Sequence, residues 1–200
     1  MSDIPELDRK AVDYSVSLVS EVTTSDLSRP TPCGDWDLAR LLTHMTAQHR
    51  GFAAAARGRG GDRELWRMGD AAADPVDAYR QAATDVVAAF AENGVEKRDF
   101  DLPEFGAGFT APAAQAMGFH FIDYVVHGWD VARSLGLPYE LAAELAEPAL
   151  RIAEAVPDGE LRLRPGSAFA PALSAAGDVD PLTRILTHLG RSPHWPDAMK

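Results

Sequence analysis

Cysteine is nearly absent from this chain: Cys33 stands alone among 200 residues. No intramolecular disulfide can form, which fits a reducing compartment. Positive charge is also scarce. Nineteen Lys and Arg face 30 Asp and Glu, for a net charge of −11. A phosphate-binding surface needs clustered basic side chains, so nucleic acid is excluded as a partner and an anionic membrane is disfavoured. No stretch approaches the ~18 consecutive apolar residues of a membrane span. The N-terminus, Met1-Ser2-Asp3-Ile4-Pro5-Glu6, has neither the basic region nor the apolar run of a secretory signal. Gly58-Arg59-Gly60-Gly61 lacks the Lys-Ser/Thr of a phosphate loop and reads as a turn. Together these absences lead to the expectation of a cytoplasmic protein.

What is present is an ordinary apolar content of 46%, enough for one core, and a single domain over 1–200 is expected. Apolar spacing of three and four predicts helices over about Glu6–Ser25, over Leu38–Ala56 with Asp35 as cap, and over Asp74–Asn93. A fourth runs Ala113–Leu135, stopped by Gly136 and Pro138. Further helices are expected over Tyr139–Ala155 and Leu182–Leu189. The segment Arg98–Pro112, broken by Pro103, Gly106 and Gly108, reads as an ordered loop of functional length. The alternation Glu160-Leu161-Arg162-Leu163-Arg164 suggests a short strand. Long helices with such connections imply a mainly helical, up-and-down bundle over 1–136, with a small C-terminal appendage over 137–200.

The chemistry concentrates in the fourth helix. At ~100° per residue, His120, Asp123, His127 and Asp130 share a sector about 80° wide. It is either a narrow solvent face or the one polar stripe of a buried helix. A solvent face normally carries Lys, Glu, Arg and Gln, whereas His and Asp are both metal ligands. An i,i+4 pair such as Asp123 and His127 can share one ion but needs a third ligand from elsewhere. On the second helix His49 lies in the middle of the Leu38/Leu42/Met45 stripe and His44 at its edge, and spacing alone does not choose between them. Asp130 either orients a ligand histidine from behind or pairs with Arg133. Cys33 reads as a small buried residue in the turn before the second helix.

Three segments resemble a known family. They are Thr31-Pro32-Cys33-Gly34-Asp35-Trp36 leading to Leu41-Leu42-Thr43-His44, then Asp123-Tyr124-Val125-Val126-His127-Gly128-Trp129-Asp130, and finally Leu189-Gly190-Arg191-Ser192-Pro193 with Trp195. They are similar to signatures of the mycothiol-dependent maleylpyruvate isomerase-like proteins of the DinB-like superfamily, the last to an actinobacterial subfamily. The resemblance implies an all-α, DinB-like four-helix bundle holding a divalent metal, zinc foremost and nickel as the alternative. It places the ligands on His44, Asp123 and His127, leaving His49 in the core. It implies an enzyme, transferase or isomerase, whose partners are a small-molecule substrate and a low-molecular-weight thiol such as mycothiol, the protein itself being monomer or homodimer. A metal-dependent hydrolase using water and a non-catalytic metal-binding or stress-related module are the alternatives. Aspartate stands at 123 where the isomerase looks to have glutamate. The isomerase also carries a further C-terminal domain that this chain is expected to lack.

Overall fold

The computed structural model describes residues 3–164, 167–174, 177 and 179–196. It contains six α-helices: α1 (Ile4–Val19), α2 (Leu38–Ala56), α3 (Pro75–Phe90), α4 (Ala113–Leu135), α5 (Ala143–Ala155) and α6 (Pro181–His188). The only named sheet among the described residues is an antiparallel hairpin, β1 (Asp99–Asp101) with β2 (Thr110–Pro112), in the register Phe100 opposite Ala111. Helix dominates, as expected. Where a loop was expected over Arg98–Pro112, its two ends pair and the connection between them projects as a tip.

The first four helices form the bundle. α1 packs against α4 and α3, and α2 packs against α3 and α4. α1 and α2 therefore occupy opposite corners, and residues 20–37 cross the bundle end to join them. Caps explain the boundaries. Asp37 accepts from the Arg40 amide and Asp74 from the Asp77 amide, each satisfying a free N-terminal donor. Asp37, not Asp35, is thus the cap of α2. α4 ends as its sequence requires. Gly136 adopts φ 72°, and the amides of Gly136 and Leu137 return to the carbonyls of Arg133 and Ala132. α1 stops at Val19, short of the expected Ser25, because Thr23 and Asp26 form a reciprocal capping box that starts a separate 3-10 turn.

α4 is the axis of the molecule. Phe121, Ile122, Tyr124, Val125, Val126 and Val131 are buried, against Leu38, Leu41, Leu42 and Met45 of α2 and Ala11, Val12 and Val19 of α1. Burying each such aliphatic side chain contributes about 1.5–3 kcal/mol. The polar residues of α4 are enclosed too. His120 donates to or accepts from Asp8 of α1 at 2.6 Å and His49 of α2 at 3.1 Å, all three being fully buried. His49 also stacks on Tyr124 at a centroid distance of 4.0 Å. Burial pushes the Asp8 carboxyl up, and burial followed by the charge of His120 pushes His49 well down. Asp8, His120 and His49 thus form one buried hydrogen-bonded chain that links α1, α4 and α2.

The appendage packs α5 on α4 and α6 on α5. Glu160–Leu163 is a 3-10 turn, which corrects the expected strand. The alternation of residue types does not carry over to burial, since Glu160 and Arg164 are exposed. Arg162 is buried and donates to the carbonyls of Pro157, Val156 and His188, while Leu163 is 72% exposed.

One glycine is fixed by contact. A Cβ on Gly51 would lie 2.3 Å from the ring of Trp66, which is buried and held by its Nε1–H to the Gly60 carbonyl at 2.7 Å. Alanine gains about 1 kcal/mol of helix propensity, but overpacking costs about 1–3 kcal/mol. Gly51→Ala is therefore expected to lower stability by about 0–2 kcal/mol in urea unfolding. In a Trp66→Ala background the same substitution is expected to be neutral or stabilising. A stabilising Gly51→Ala in the otherwise intact protein would contradict this packing.

Candidate metal centre

The crossing segment 20–37 is tied into shape by its own polar groups. The Thr31 hydroxyl donates to the Trp36 carbonyl at 2.9 Å and accepts from the Cys33 amide at 3.1 Å, and the Thr31 amide also reaches the Trp36 carbonyl. Gly34 takes φ 61° at the tip, a conformation that glycine adopts without strain. This tight loop sets Cys33 against α4 and Trp36 against His44, whose ring centroid is 5.0 Å away.

His44 then faces α4 across the bundle. Its ring meets that of His127 edge-on, with centroids 5.3 Å apart. Asp123, one turn before His127, places Oδ1 3.4 Å from His127 Nε2. One ligand-type atom from each of His44, Asp123 and His127 lies within 4.8 Å of the others. The structure thus brings together the three residues that the family resemblance singles out, and it sends His49 elsewhere. His120, in the same sector of α4, belongs to the separate Asp8 network.

Behind His127 sits Asp130. Its Oδ2 accepts from His127 Nδ1 at 2.9 Å, from the Cys33 thiol at 2.9 Å and from Arg191 Nη2 at 3.2 Å. Asp130 thus bonds His127 and not Arg133, whose guanidinium donates to the Trp195 carbonyl. Burial alone would raise the Asp130 carboxyl, but Arg191 and the bonds from His127 and Cys33 hold it down at about 2. For His127 burial acts downward, yet Asp123 and Asp130 more than reverse it, and the net shift is well upward. Burial and Asp130 raise the Cys33 thiol. It is a donor in this cluster, not an activated nucleophile.

Two donor clusters are therefore possible on geometry: His44, Asp123 and His127, and Cys33, His127 and Asp130. Charge separates them. Arg191 Nη2 lies 3.2 Å from Asp130 Oδ2 and 3.3 Å from Cys33 Sγ, which is where a cation in the second cluster would stand. Among the described residues the first cluster has no such occupant. No group among the described residues hydrogen-bonds the ring nitrogens of His44, and burial followed by the charge of His127 keeps that imidazole neutral, its pKa lowered to about 4. Two imidazoles and a carboxylate fit a divalent ion that keeps one open position.

The rim was not legible in the sequence. Gln48, one turn after His44, donates to Glu104 at 2.7 Å. Glu104 belongs to the hairpin tip, and its carboxyl is raised by burial and further by the charge of Asp123. Phe105, Phe109 and Phe119 stack beside it, and Phe105 is 50% exposed. A separate recess lined by Thr43, Ala47, Arg50, Arg67 and Asp70 contains none of the donor residues.

The model of the mycothiol maleylpyruvate isomerase N-terminal domain matches residues 9–132, which include all three donors. The chain belongs to this family. An uncharacterised protein of Mycobacterium tuberculosis, matched in strains H37Rv and CDC 1551, is 27% identical over 191 residues, covering 92% of this chain and 95% of the relative. The crystal structure of the mycothiol-dependent maleylpyruvate isomerase has the same fold. Its TM-score is 0.61 at 14% identity, over 95% of this chain and 89% of the isomerase. A histidine-to-alanine mutant of the isomerase gives 0.60 at 11% identity, over 76% of this chain and 67% of that one. Among the described residues no helix is long and apolar enough to cross a membrane.

The lowered pKa of His44 has a thermodynamic consequence in metal-free protein. Folded His44 stays neutral down to about 4, while the unfolded chain takes up a proton near 6.5. Its contribution is fully present above pH 6.5 and is lost as pH falls towards 4, on the order of 2–3 kcal/mol across that window. Chelator-treated protein is therefore expected to lose urea stability between pH 7 and 4.5, and His44→Gln to lose distinctly less over the same interval. Equal losses in both proteins would contradict a buried, neutral His44.

Proposed function

We propose that the protein is a divalent-metal-dependent enzyme that acts with a low-molecular-weight thiol of the mycothiol type as an isomerase or transferase. The observation that carries this reading is the convergence of His44 Nε2 or Nδ1, an Asp123 oxygen and a His127 nitrogen at one place between α2 and α4. Family membership supplies the thiol: the family and the solved isomerase are both named for mycothiol.

His44, Asp123 and His127 would hold the ion, with zinc the expected metal for an N₂O donor set. When bound, such an ion supplies Lewis acidity and favours the ionised form of a thiol or water at its open position. The protein residues do the rest. Asp130 accepts a hydrogen bond from the Nδ1–H of His127, which turns Nε2 towards Asp123 and His44, and with an ion bound Nε2 would offer its lone pair there. Trp36 and the enclosed bundle limit water on one side. On the other, the hairpin tip gives access: the stacked Phe105, Phe109 and Phe119 form an apolar wall, one helical turn from Asp123 on α4. Glu104, with its raised carboxyl, is placed to hold or release a proton at that wall.

The test is metal content together with turnover. Wild type is expected to copurify with or take up about one equivalent of zinc, and His44→Ala and His127→Ala to lose it while still unfolding cooperatively, since the apolar core is independent of the ion. Asp123→Glu is expected to retain metal. Maleylpyruvate isomerisation, and thiol transfer to other electrophiles, should require both metal and mycothiol. Stoichiometric metal in the alanine variants would refute the ligand set. Turnover by metal and water without thiol would make the protein a hydrolase.

A further inference from the structure

Asp130 is fully buried, and a buried carboxylate costs several kcal/mol unless it is paired. Its charged partners among the described residues are His127 and Arg191. With a cation on Nε2 the His127 ring is a neutral ligand, and Arg191 is then the remaining positive charge against Asp130. Arg191 is itself 7% exposed and is delivered from outside the bundle. It follows α6, beyond the residues 9–132 that carry the family match.

The delivery is built in. α6 closes through Gly190 at φ 78°, with the Gly190 amide on the Thr187 carbonyl and the Arg191 amide on the Leu186 carbonyl. A Cβ on Gly190 would lie 2.7 Å from the Ala170 backbone oxygen, so only glycine lets the turn approach that segment. The Arg191 side chain then runs inward. It donates from Nη1 to the Leu189 carbonyl at 3.2 Å and from Nη2 to both Asp130 and Cys33, with its guanidinium carbon 5.7 Å from the centre of the Phe169 ring. One turn along α4, Arg133 holds the Trp195 carbonyl. The segment after α6 is thus fastened to α4 at two points that flank the back of the metal centre.

We infer that Arg191 is a positioning residue of the metal centre: it pins Asp130 against His127 Nδ1, and so fixes the imidazole with Nε2 towards Asp123 and His44. Cys33 completes the hold by donating to the same carboxylate oxygen. Arg191 acts through Asp130 and is not one of the three donors. The inference rests on the metal reading above and adds to it that the centre depends on the C-terminal segment.

The experiment uses the full chain as wild type, Arg191→Met, Arg191→Lys, Asp130→Asn and the Arg191→Met/Asp130→Asn double variant. Zinc affinity is measured by competition with a chromophoric chelator, the Co²⁺ visible spectrum is recorded, and circular dichroism and thermal unfolding check the fold. Loss of such an outer partner typically weakens metal binding about 10–100-fold, and that range is expected for Arg191→Met and for Asp130→Asn. Arg191→Lys is expected to recover part of the loss. The double variant is expected to bind no more weakly than the weaker single variant, since one route is being cut twice. An altered Co²⁺ spectrum in Arg191→Met, with unchanged far-ultraviolet dichroism, marks a reoriented ligand and not a loosened fold. Should Arg191→Met not fold, Arg191→Gln keeps a donor at similar length and is expected to show the same weakening. Wild-type affinity in either folded variant overturns the inference, as does a full additional loss on combining Arg191→Met with Asp130→Asn. Failure of wild type to bind zinc at all would instead refute the metal reading on which the inference stands.

Discussion

One carboxylate oxygen, Asp130 Oδ2, accepts from an imidazole, a thiol and a guanidinium that come from three separate parts of the chain. A charge with no exposure tolerates few arrangements of its neighbours, because an unmatched one is so costly. Much of the architecture around α4 is the means of supplying these donors. The crossing segment must turn tightly to present Cys33, and α6 must end in a glycine so that Arg191 turns inward. The appendage is therefore part of the same polar structure as the bundle core. Its apolar contacts with α4 place it, and the Asp130 cluster fixes it.

The same helix carries a second polar network one or two turns away, formed by His120 with Asp8 and His49. The two are chemically distinct. Among the described residues the cluster of His44, Asp123 and His127 leaves His44 without a hydrogen-bond partner, and it faces the hairpin tip, whose Glu104 feels the charge of Asp123. The network of His120, Asp8 and His49 is fully buried and flanked by the rings of Phe52, Phe90, Tyr79 and Tyr124. Enclosure makes it a structural element that joins α1, α2 and α4. The cluster of His44, Asp123 and His127 is only partly enclosed, with His44 and Asp123 half-buried.

Most of the helices were legible because local signals agreed with the final packing. α4 begins after Pro112 and ends at Gly136, as its residues dictate. The edge position of His44 and the central position of His49 on the α2 stripe correspond to partial exposure at the centre and full burial in the core. Failures came where a polar side chain overrode the pattern. Glu160–Arg164 alternates like a strand, but Arg162 is the residue that turns inward to bind carbonyls, and this winds the segment into a turn. Cys33 and Arg191 both lie in recognisable motifs, yet their partner on α4 is 97 and 61 residues away. No local spacing encodes such a contact. The Gln48–Glu104 pair was invisible for the same reason.

The corner-to-corner placement of α1 and α2 has a consequence for how the protein is made. α1 rests chiefly on α4, the last helix of the bundle, and not on the helix that follows it. During synthesis at about 5–20 residues per second, the ~115 residues from the end of α1 to the end of α4 take roughly 6–25 s to emerge. For that interval the apolar face of α1, with Leu7, Ala11, Val12, Leu18 and Val19, lacks its principal native neighbour, α4. The native α1–α4 packing needs the last bundle helix, and the nascent chain must stay soluble until that helix is made. A strongly acidic chain, with its mutual repulsion between molecules, is well suited to that wait.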